Sequence, residues 1–259
     1  MSYHAADHFV YDVVCRIHSR MNLAIFDIDG TLTETNAVDE ICFVQAFADA
    51  HSITQINTNW MQYRCVTDSG IMFQIFHERF GRPPADGELR DYKSCLVNLL
   101  ETHRSRDSSL FTEISGASRA LTRLNQETEW AVAVATGCWR ASAELKLRAA
   151  GIQAEHLPTA FSEDGLSRET ILQAAVSRAE QSYSQSRFDR IVSVGDAVWD
   201  VQAAGNLGIP FVGVGKGDRG LRLRQAGATH VLECYSDYEQ LLDSLRKAGV
   251  PNHSKSHMN

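Results

Sequence analysis

Residues 21–33 constrain the fold more than any other stretch of the chain. Residues 23–26 form a short apolar run, which is typical of a strand buried on both faces of a sheet. The run ends at Asp27 and Asp29, and Gly30 then allows a sharp turn. Open α/β sheets bind their ligands at the carboxyl ends of such strands. Because two neighbouring carboxylates repel each other, the pair indicates a cation or a chemical role rather than a plain Asp-Gly turn.

Strand and helix patterns alternate through the second half of the chain. This alternation predicts an α/β fold, a Rossmann-like parallel sheet covered by helices on both faces. After the first strand, the further strands are predicted at residues 130–135, 152–157, 190–194, 210–214 and 229–232.

An all-helical insert is predicted directly after the first strand. Helical patterns cover residues 37–50, 71–80 and 89–103. No convincing strand pattern is found between residues 37 and 108. An insert of this kind is what a cap domain over an active site would look like. The alternative is that these helices simply pack on the sheet.

The predicted domain organisation is discontinuous. Residues 21–35 and 109–250 form the catalytic core, and residues 36–108 form the helical cap. Residues 1–20 are an N-terminal extension, and residues 251–259 are a polar, flexible tail.

Composition excludes several classes of partner. The net charge of −7 disfavours binding to nucleic acid or to an anionic membrane surface, and no apolar run is long enough to span a bilayer. Residues 1–20 lack the apolar core of a signal peptide. The 6 cysteines are scattered without a Cys-x-x-Cys pair, which favours reduced thiols in the cytoplasm. We therefore expect a cytoplasmic protein, a monomer or a homodimer, with a small-molecule partner.

Polar residues follow three of the predicted strands. Because the carboxyl ends of parallel strands meet at one edge, residues far apart in sequence are expected to converge there. They are Asp27 and Asp29, then Thr136 with Gly137, then Asp196 and Asp200. In order and character they resemble the motifs of the haloacid dehalogenase-like superfamily, and specifically its phosphoglycolate-phosphatase-like branch with a helical cap. The resemblance covers residues 21–249.

The resemblance implies a role for each of the first four residues. Asp27 resembles the nucleophile that becomes an aspartyl-phosphate. Asp29 resembles the general acid/base, and its peptide carbonyl is expected to bind the metal. Thr136 resembles the hydroxyl that binds the phosphoryl group, beside the backbone N–H of Gly137.

The last motif implies a magnesium site. Asp196 is expected to bind Mg²⁺ directly, while Asp200 binds it or orients a water or a neighbouring carboxylate. Together with Asp27 and Asp29 they form an oxygen-rich ligand set, which Mg²⁺ prefers. For Asp200 alone, the alternative is a carboxylate that stabilises the first turn of a helix.

The third motif of the family departs from its usual form. The family places a lysine upstream of the acidic motif, but residues 167–169 read Ser-Arg-Glu. Lys146 lies too early in the chain, so Arg168 is the predicted cation for the phosphoryl group. The alternative is a surface arginine beside a helix cap at Ser167.

These roles predict an Mg²⁺-dependent phosphatase that hydrolyses a small phosphorylated metabolite through an aspartyl-phosphate. Asp29 argues against a dehalogenase or a phosphonatase, because those reactions do not need it to protonate a leaving alcohol. A phosphosugar mutase and a non-catalytic binding or regulatory protein with the same fold are the alternatives.

A short polar stretch in the cap, residues 67–70, is predicted to select the substrate. Asp68 and Ser69 offer a carboxylate and a hydroxyl that would suit a polyhydroxy or amine-bearing leaving group. The alternative is that Asp68 or Ser69 is only the N-cap of the following helix.

Overall fold

The computed structural model describes residues 21–127 and 129–252. The predicted N-terminal extension, residues 1–20, and residues 253–259 of the predicted tail lie outside this part of the chain.

Six parallel strands form one sheet, in the spatial order β3-β2-β1-β4-β5-β6. The strands are β1 (Asn22–Phe26), β2 (Trp130–Ala135), β3 (Thr159–Ala160), β4 (Arg190–Gly195), β5 (Phe211–Val214) and β6 (His230–Leu232). The switch in strand order falls at β1, where α/β sheets place their ligands.

Helices cover both faces of this sheet, which confirms the predicted α/β class. The α-helices are α1 (Asn36–His51), α2 (Asp68–Phe80), α3 (Asp86–Arg106), α4 (Ala117–Gln126), α5 (Arg140–Ala149), α6 (Arg168–Ser182), α7 (Val198–Leu207), α8 (Gly217–Gln225) and α9 (Tyr238–Lys247). Short 3₁₀ helices lie at Trp60–Gln62, Ser108–Leu110 and Ser162–Asp164. Among the described residues, none of the helices combines the length and the apolar character needed to cross a membrane.

The alternation of side chains along β1 explains its position at the centre of the sheet. Ala24 and Phe26 join one buried cluster, which includes apolar residues of α4 and α9. Leu23 and Ile25 face the other side and join a cluster that includes α6. Because both faces are covered, β1 reads as a continuous apolar run rather than an alternating one.

The strand register brings the polar strand ends to one edge. Phe26 pairs with Val134 on one side and with Val194 on the other. The residues that follow these three positions therefore leave the sheet at the same level. This register brings Asp27, Thr136 and Asp196 to one edge of the sheet, as the sequence analysis expected.

Two details of the predicted order of elements were wrong. Residues 152–157 are not a strand: Leu157 N donates to Ala154 O in a turn, and Val134 pairs with Thr159. Ile152, Ala154 and Leu157 are nevertheless buried in the core, which accounts for their apolar pattern. In addition, α8 was not among the predicted helices, because its many charged residues leave too few apolar positions to show a helical pattern.

Residues 36–108 contain three α-helices and no strand, and all of them are described by the structure. Their apolar side chains form a separate buried cluster around Phe43, Phe47 and Tyr92. Trp139 and Leu145, from the sheet domain, belong to the same cluster. The sheet domain therefore completes the buried cluster of the insert, and the role of the insert as a cap stays a prediction.

Candidate active site

Asp27 lines a cavity of about 420 Å³ between the sheet and the helical insert. Its carboxylate is almost completely buried and accepts a hydrogen bond from Arg168 Nη1 at 3.1 Å. Burial raises the pKa of Asp27 well above its ordinary value; Arg168 opposes this shift, and the charges of Asp200 and Asp196 reinforce it. A carboxylate in this position gains from any cation that enters the site.

Asp27, Asp196 and Asp200 form a compact cluster of carboxylates. One oxygen from each lies within 4.8 Å of the others. Burial raises the pKa of Asp196 to about 7, and the negative charge of Asp200 adds to this effect. Gly30, at φ 70°, makes room for the cluster, because a Cβ at this position would lie 2.0 Å from Asp196 Oδ2. Oxygen donors of this kind, crowded and short of positive charge, fit Mg²⁺.

Asp200 is held by two interactions that leave it facing the cluster. Its Oδ1 accepts from Arg168 Nη1 at 3.0 Å, and its Oδ2 accepts from the backbone N–H of Ala197 at 3.2 Å. It therefore occupies the first turn of α7 and also belongs to the candidate metal cluster. The two interpretations of Asp200 are both compatible with its position.

Arg168 lies at the site that the sequence analysis assigned to it. It is the first residue of α6, and its side chain is only 17% exposed. Besides Asp27 and Asp200, it donates from Nε to the carbonyl of Val66 at 2.9 Å. Ser167 caps the helix, as the alternative interpretation expected, but Arg168 points into the site rather than to the surface.

Asp29 faces a second polar cluster, built around the buried Lys146. Lys146 Nζ donates to Asp29 Oδ2 at 2.6 Å and to Asp39 Oδ1 at 2.7 Å, and its side chain is 0% exposed. Asp29 Oδ1 also accepts from the hydroxyl of Thr35 at 2.5 Å. The Asp29 carboxylate is therefore not part of the Asp27 cluster. A metal bound to the Asp27 cluster would therefore contact Asp29 only through its peptide carbonyl.

The two carboxylates that share Lys146 have opposite pKa shifts. Burial opposes the ionised form of both. For Asp29, the charge of Lys146 and the hydrogen bonds from Lys146, Thr35 and Cys138 outweigh burial and lower the pKa. Asp39 has fewer such partners and feels the negative charge of Asp29, so its pKa is raised.

Thr136 and Gly137 lie at the end of β2. The hydroxyl of Thr136 is buried and accepts a hydrogen bond from the backbone N–H of Cys138 at 3.1 Å, which leaves its proton free to be donated. Gly137 lines the cavity, and a Cβ on it would lie 2.7 Å from Arg168 Nη2. A glycine is therefore needed for the close approach of Arg168.

The cap residues Asp68 and Ser69 bind the sheet domain through most of their polar atoms. Asp68 donates from its backbone N–H to Gly137 O at 2.7 Å and accepts from Trp139 N at 2.9 Å. Ser69 donates to Ser162 O and accepts from Trp139 Nε1, both at 2.9 Å. The N-cap of α2 is Thr67, not Asp68 or Ser69. Asp68 lines the cavity, and substrate selection by these two residues stays a prediction.

Several residues of the site are not evident from the sequence. Lys146 lies too early in the chain for the family's lysine, yet it lies on the buried face of α5 with Ala143 and Leu147. A lysine in such an apolar stripe was the available signal. Asn36 and Arg219, which contact Asp196 Oδ2 at 2.8 and 3.4 Å, gave no signal of comparable strength.

The fold is a parallel α/β sheet domain with an all-helical insert, and a buried cluster of carboxylates lies at the carboxyl ends of its strands. The family model for haloacid dehalogenase-like hydrolases matches residues 24–214. The chain belongs to this family, which confirms the predicted superfamily and the prediction of a hydrolase.

Solved structures show the same architecture. A hydrolase from Pseudomonas syringae has a TM-score of 0.64 at 22% identity, covering 88% of this chain and 99% of that one. CbbY from Rhodobacter sphaeroides, in complex with xylulose-1,5-bisphosphate, has a TM-score of 0.62 at 18% identity, covering 84% and 96%. A predicted phosphatase from Clostridium acetobutylicum has a TM-score of 0.55 at 18% identity, covering 87% and 100%. No curated protein sequence matches the chain. At these identities the likeness establishes the fold.

Proposed function

We propose that the protein is an Mg²⁺-dependent phosphatase that hydrolyses the phosphomonoester of a small metabolite. One observation carries the proposal. Asp27 follows the central strand, contacts Arg168 at 3.1 Å, and shares a cavity-lining cluster with Asp196 and Asp200. A nucleophilic carboxylate, a guanidinium for the phosphoryl oxygens and a cation site are the groups that this reaction needs.

In the first step, an oxygen of Asp27 attacks phosphorus and the bond to the leaving alcohol breaks. Arg168 binds phosphoryl oxygens, with the Thr136 hydroxyl and the Gly137 N–H as further donors. Mg²⁺ bound to the carboxylate cluster would offset the repulsion between the phosphate and Asp27.

Asp29 is the general acid in the first step and the general base in the second. In the first step it donates a proton to the leaving alcohol, and in the second it accepts one from the water that releases phosphate from Asp27. Its lowered pKa suits the second step, because the ionised form is the base. A bound phosphate ester adds negative charge nearby, which favours the protonated form that the first step requires. Lys146 fixes the orientation of Asp29 throughout.

The proposal is tested by the hydrolysis of p-nitrophenyl phosphate with and without Mg²⁺. We expect turnover that stops in a chelator and returns with Mg²⁺, and a loss of roughly a thousandfold or more in Asp27→Asn. Asp218→Asn, an exposed acid on α8 that does not line the cavity, is the matched control and should keep full activity. Full activity of the demetallated protein, or of Asp27→Asn, would contradict the mechanism.

A further inference from the structure

The cavity at Asp27 is larger than a phosphoryl group requires. Its volume of about 420 Å³ lies in the range of small-molecule sites. Asp27, Arg168 and Gly137 occupy the phosphate end. The remaining volume has to accommodate the leaving group, so the side chains around it determine which alcohol fits.

Apolar and aromatic side chains form a large part of the wall around this remaining volume, and Asn36, Arg219 and Arg222 add polar groups to it. The cap contributes Phe43, Trp60, Met61 and Ile71, and the sheet domain contributes Trp199 and Leu223. Indole and phenyl rings offer flat surfaces that favour other rings, in stacked or edge-to-face contact. The hydroxyl groups of a sugar would lose water against the apolar and aromatic part of this wall without gaining hydrogen bonds from it.

Trp60 is held in place before any ligand arrives. Its Nε1 donates to Glu40 Oε2 at 2.9 Å. Its ring contacts Phe43 edge-on, with centroids 5.9 Å apart and planes at 87°, and lies 5.9 Å from the ring of Tyr63. A ring fixed in this way loses little conformational freedom when a ligand binds it.

The carboxyl groups on the cap side already accept hydrogen bonds from the protein, so they have few acceptor positions left for a ligand. Asp39 accepts from Lys146, Glu40 accepts from Trp60, and Asp68 accepts from the backbone of Trp139. Asp39 and Glu40 disfavour a second negative charge on the cap side, whereas Arg219, which pairs with Asp196 at 3.4 Å, and Arg222 supply positive charge elsewhere in the lining.

We propose that the preferred substrate is the phosphate ester of an alcohol that carries a flat, apolar ring, and that Trp60 selects it by ring contact. This inference rests on the proposed phosphatase function and narrows its substrate class. It differs from the polyhydroxy or amine-bearing leaving group expected from the sequence, which stays a separate prediction.

The test compares three esters of primary alcohols: benzyl phosphate, ethyl phosphate and glucose 6-phosphate. In the presence of Mg²⁺, kcat/KM for benzyl phosphate should exceed that for each of the other two by about tenfold or more. Trp60→Leu, which keeps an apolar side chain without a ring, and Trp60→Ala should both remove this preference. Phe80→Ala, which truncates an exposed aromatic residue of the cap outside the cavity, should retain it.

Equal kcat/KM for the three esters, or an unchanged ranking in both Trp60 variants, would overturn the inference. If none of the esters is hydrolysed, the proposed function fails, and calorimetry with benzylphosphonate and ethylphosphonate decides the inference separately. Tighter binding of benzylphosphonate that is lost in Trp60→Leu supports the ring site. Equal binding of the two phosphonates rejects it.

Discussion

Replacing Lys146 by methionine should destabilise the protein strongly. The substitution keeps most of the side-chain volume but removes the charge that lies 2.6 Å from Asp29 and 2.7 Å from Asp39. At an effective dielectric constant near 20, each contact corresponds to a gross attraction of about 6 kcal/mol. Desolvation of the three buried groups cancels much of this, so the net loss is smaller.

Proton uptake sets an upper bound on the loss. Without Lys146, one of the two carboxylates, whose ordinary pKa is 3.8, can take up a proton and become neutral. At 1.36 kcal/mol per pKa unit, this costs about 4 kcal/mol at pH 7. The bound agrees with the cost of about 3–5 kcal/mol for removing one partner of a buried ion pair. We expect the free energy of unfolding to fall by about 3–5 kcal/mol.

The change should depend on pH in a defined direction. In the parent protein the pKa of Asp29 is lowered, so its contribution to stability is present above its ordinary pKa of 3.8 and is lost as pH falls through the lower, folded-state value. In Lys146→Met the folded-state pKa of a carboxylate is raised instead. The variant should therefore lose stability as pH rises from about 4 towards 7.

Urea unfolding of Lys146→Met at pH 5 and pH 7 measures both effects. Arg148→Met, an exposed residue of the same helix with an ion pair to Glu144 at 3.7 Å, is the matched control and should change stability by less than about 1 kcal/mol. Adding Asp39→Asn to Lys146→Met should restore part of the loss, because it removes one uncompensated charge. A loss below about 1 kcal/mol in Lys146→Met, or the same loss at both pH values, would refute this reasoning.

Three further predictions concern the active site and the cap. Arg168→Ala should lower kcat/KM for p-nitrophenyl phosphate by about a hundredfold, whereas Arg168→Lys should stay within about tenfold of the parent; equal activity of the alanine variant and the parent would reject Arg168 as the phosphate cation. Gly30→Ala should weaken the activation by Mg²⁺ in a metal titration, because its Cβ would lie 2.0 Å from Asp196 Oδ2, and an unchanged titration would show that Asp196 can move aside. Asp68→Ala should reduce the free energy of unfolding by about 1–3 kcal/mol, because Trp139 N loses its acceptor. Asp68→Asn should cost less, since an amide oxygen can still accept from Trp139 N, and burial and the charge of Asp39 raise the pKa of Asp68 to about 8, which favours an uncharged side chain here.

The sequence was sufficient to predict the sheet and the strand-end residues. An apolar run that ends in Asp27 and Asp29 has few structural explanations, and the register of β1 with β2 and β4 then brings Thr136 and Asp196 to the same edge. Arg168 could be predicted because its place before the acidic motif corresponds to that of the family's lysine.

The contacts between the cap and the sheet domain could not be predicted in the same way. Lys146 reaches Asp39 across 107 positions of the sequence, and Ser69 reaches Ser162 across 93. Such contacts depend on how two packed bodies meet, which local periodicity does not encode. The prediction of a strand at residues 152–157 was wrong for a related reason. Burial of Ile152 and Leu157 in a turn gives the same apolar pattern as a strand.

The indole of Trp139 bears on how a ligand can reach Asp27. It belongs to the loop after β2, yet it is 2% exposed inside the apolar cluster of the cap and donates to Ser69. A hinge rotation of the entire cap would have to extract this ring and expose the cluster. Residues 57–64 are mostly exposed and carry Trp60 at the rim of the cavity, so their displacement breaks far fewer buried contacts. Ligand exchange is therefore expected to use a local gate in this segment, in which the hydrogen bond from Trp60 to Glu40 breaks for passage and re-forms afterwards, while the rest of the cap stays docked.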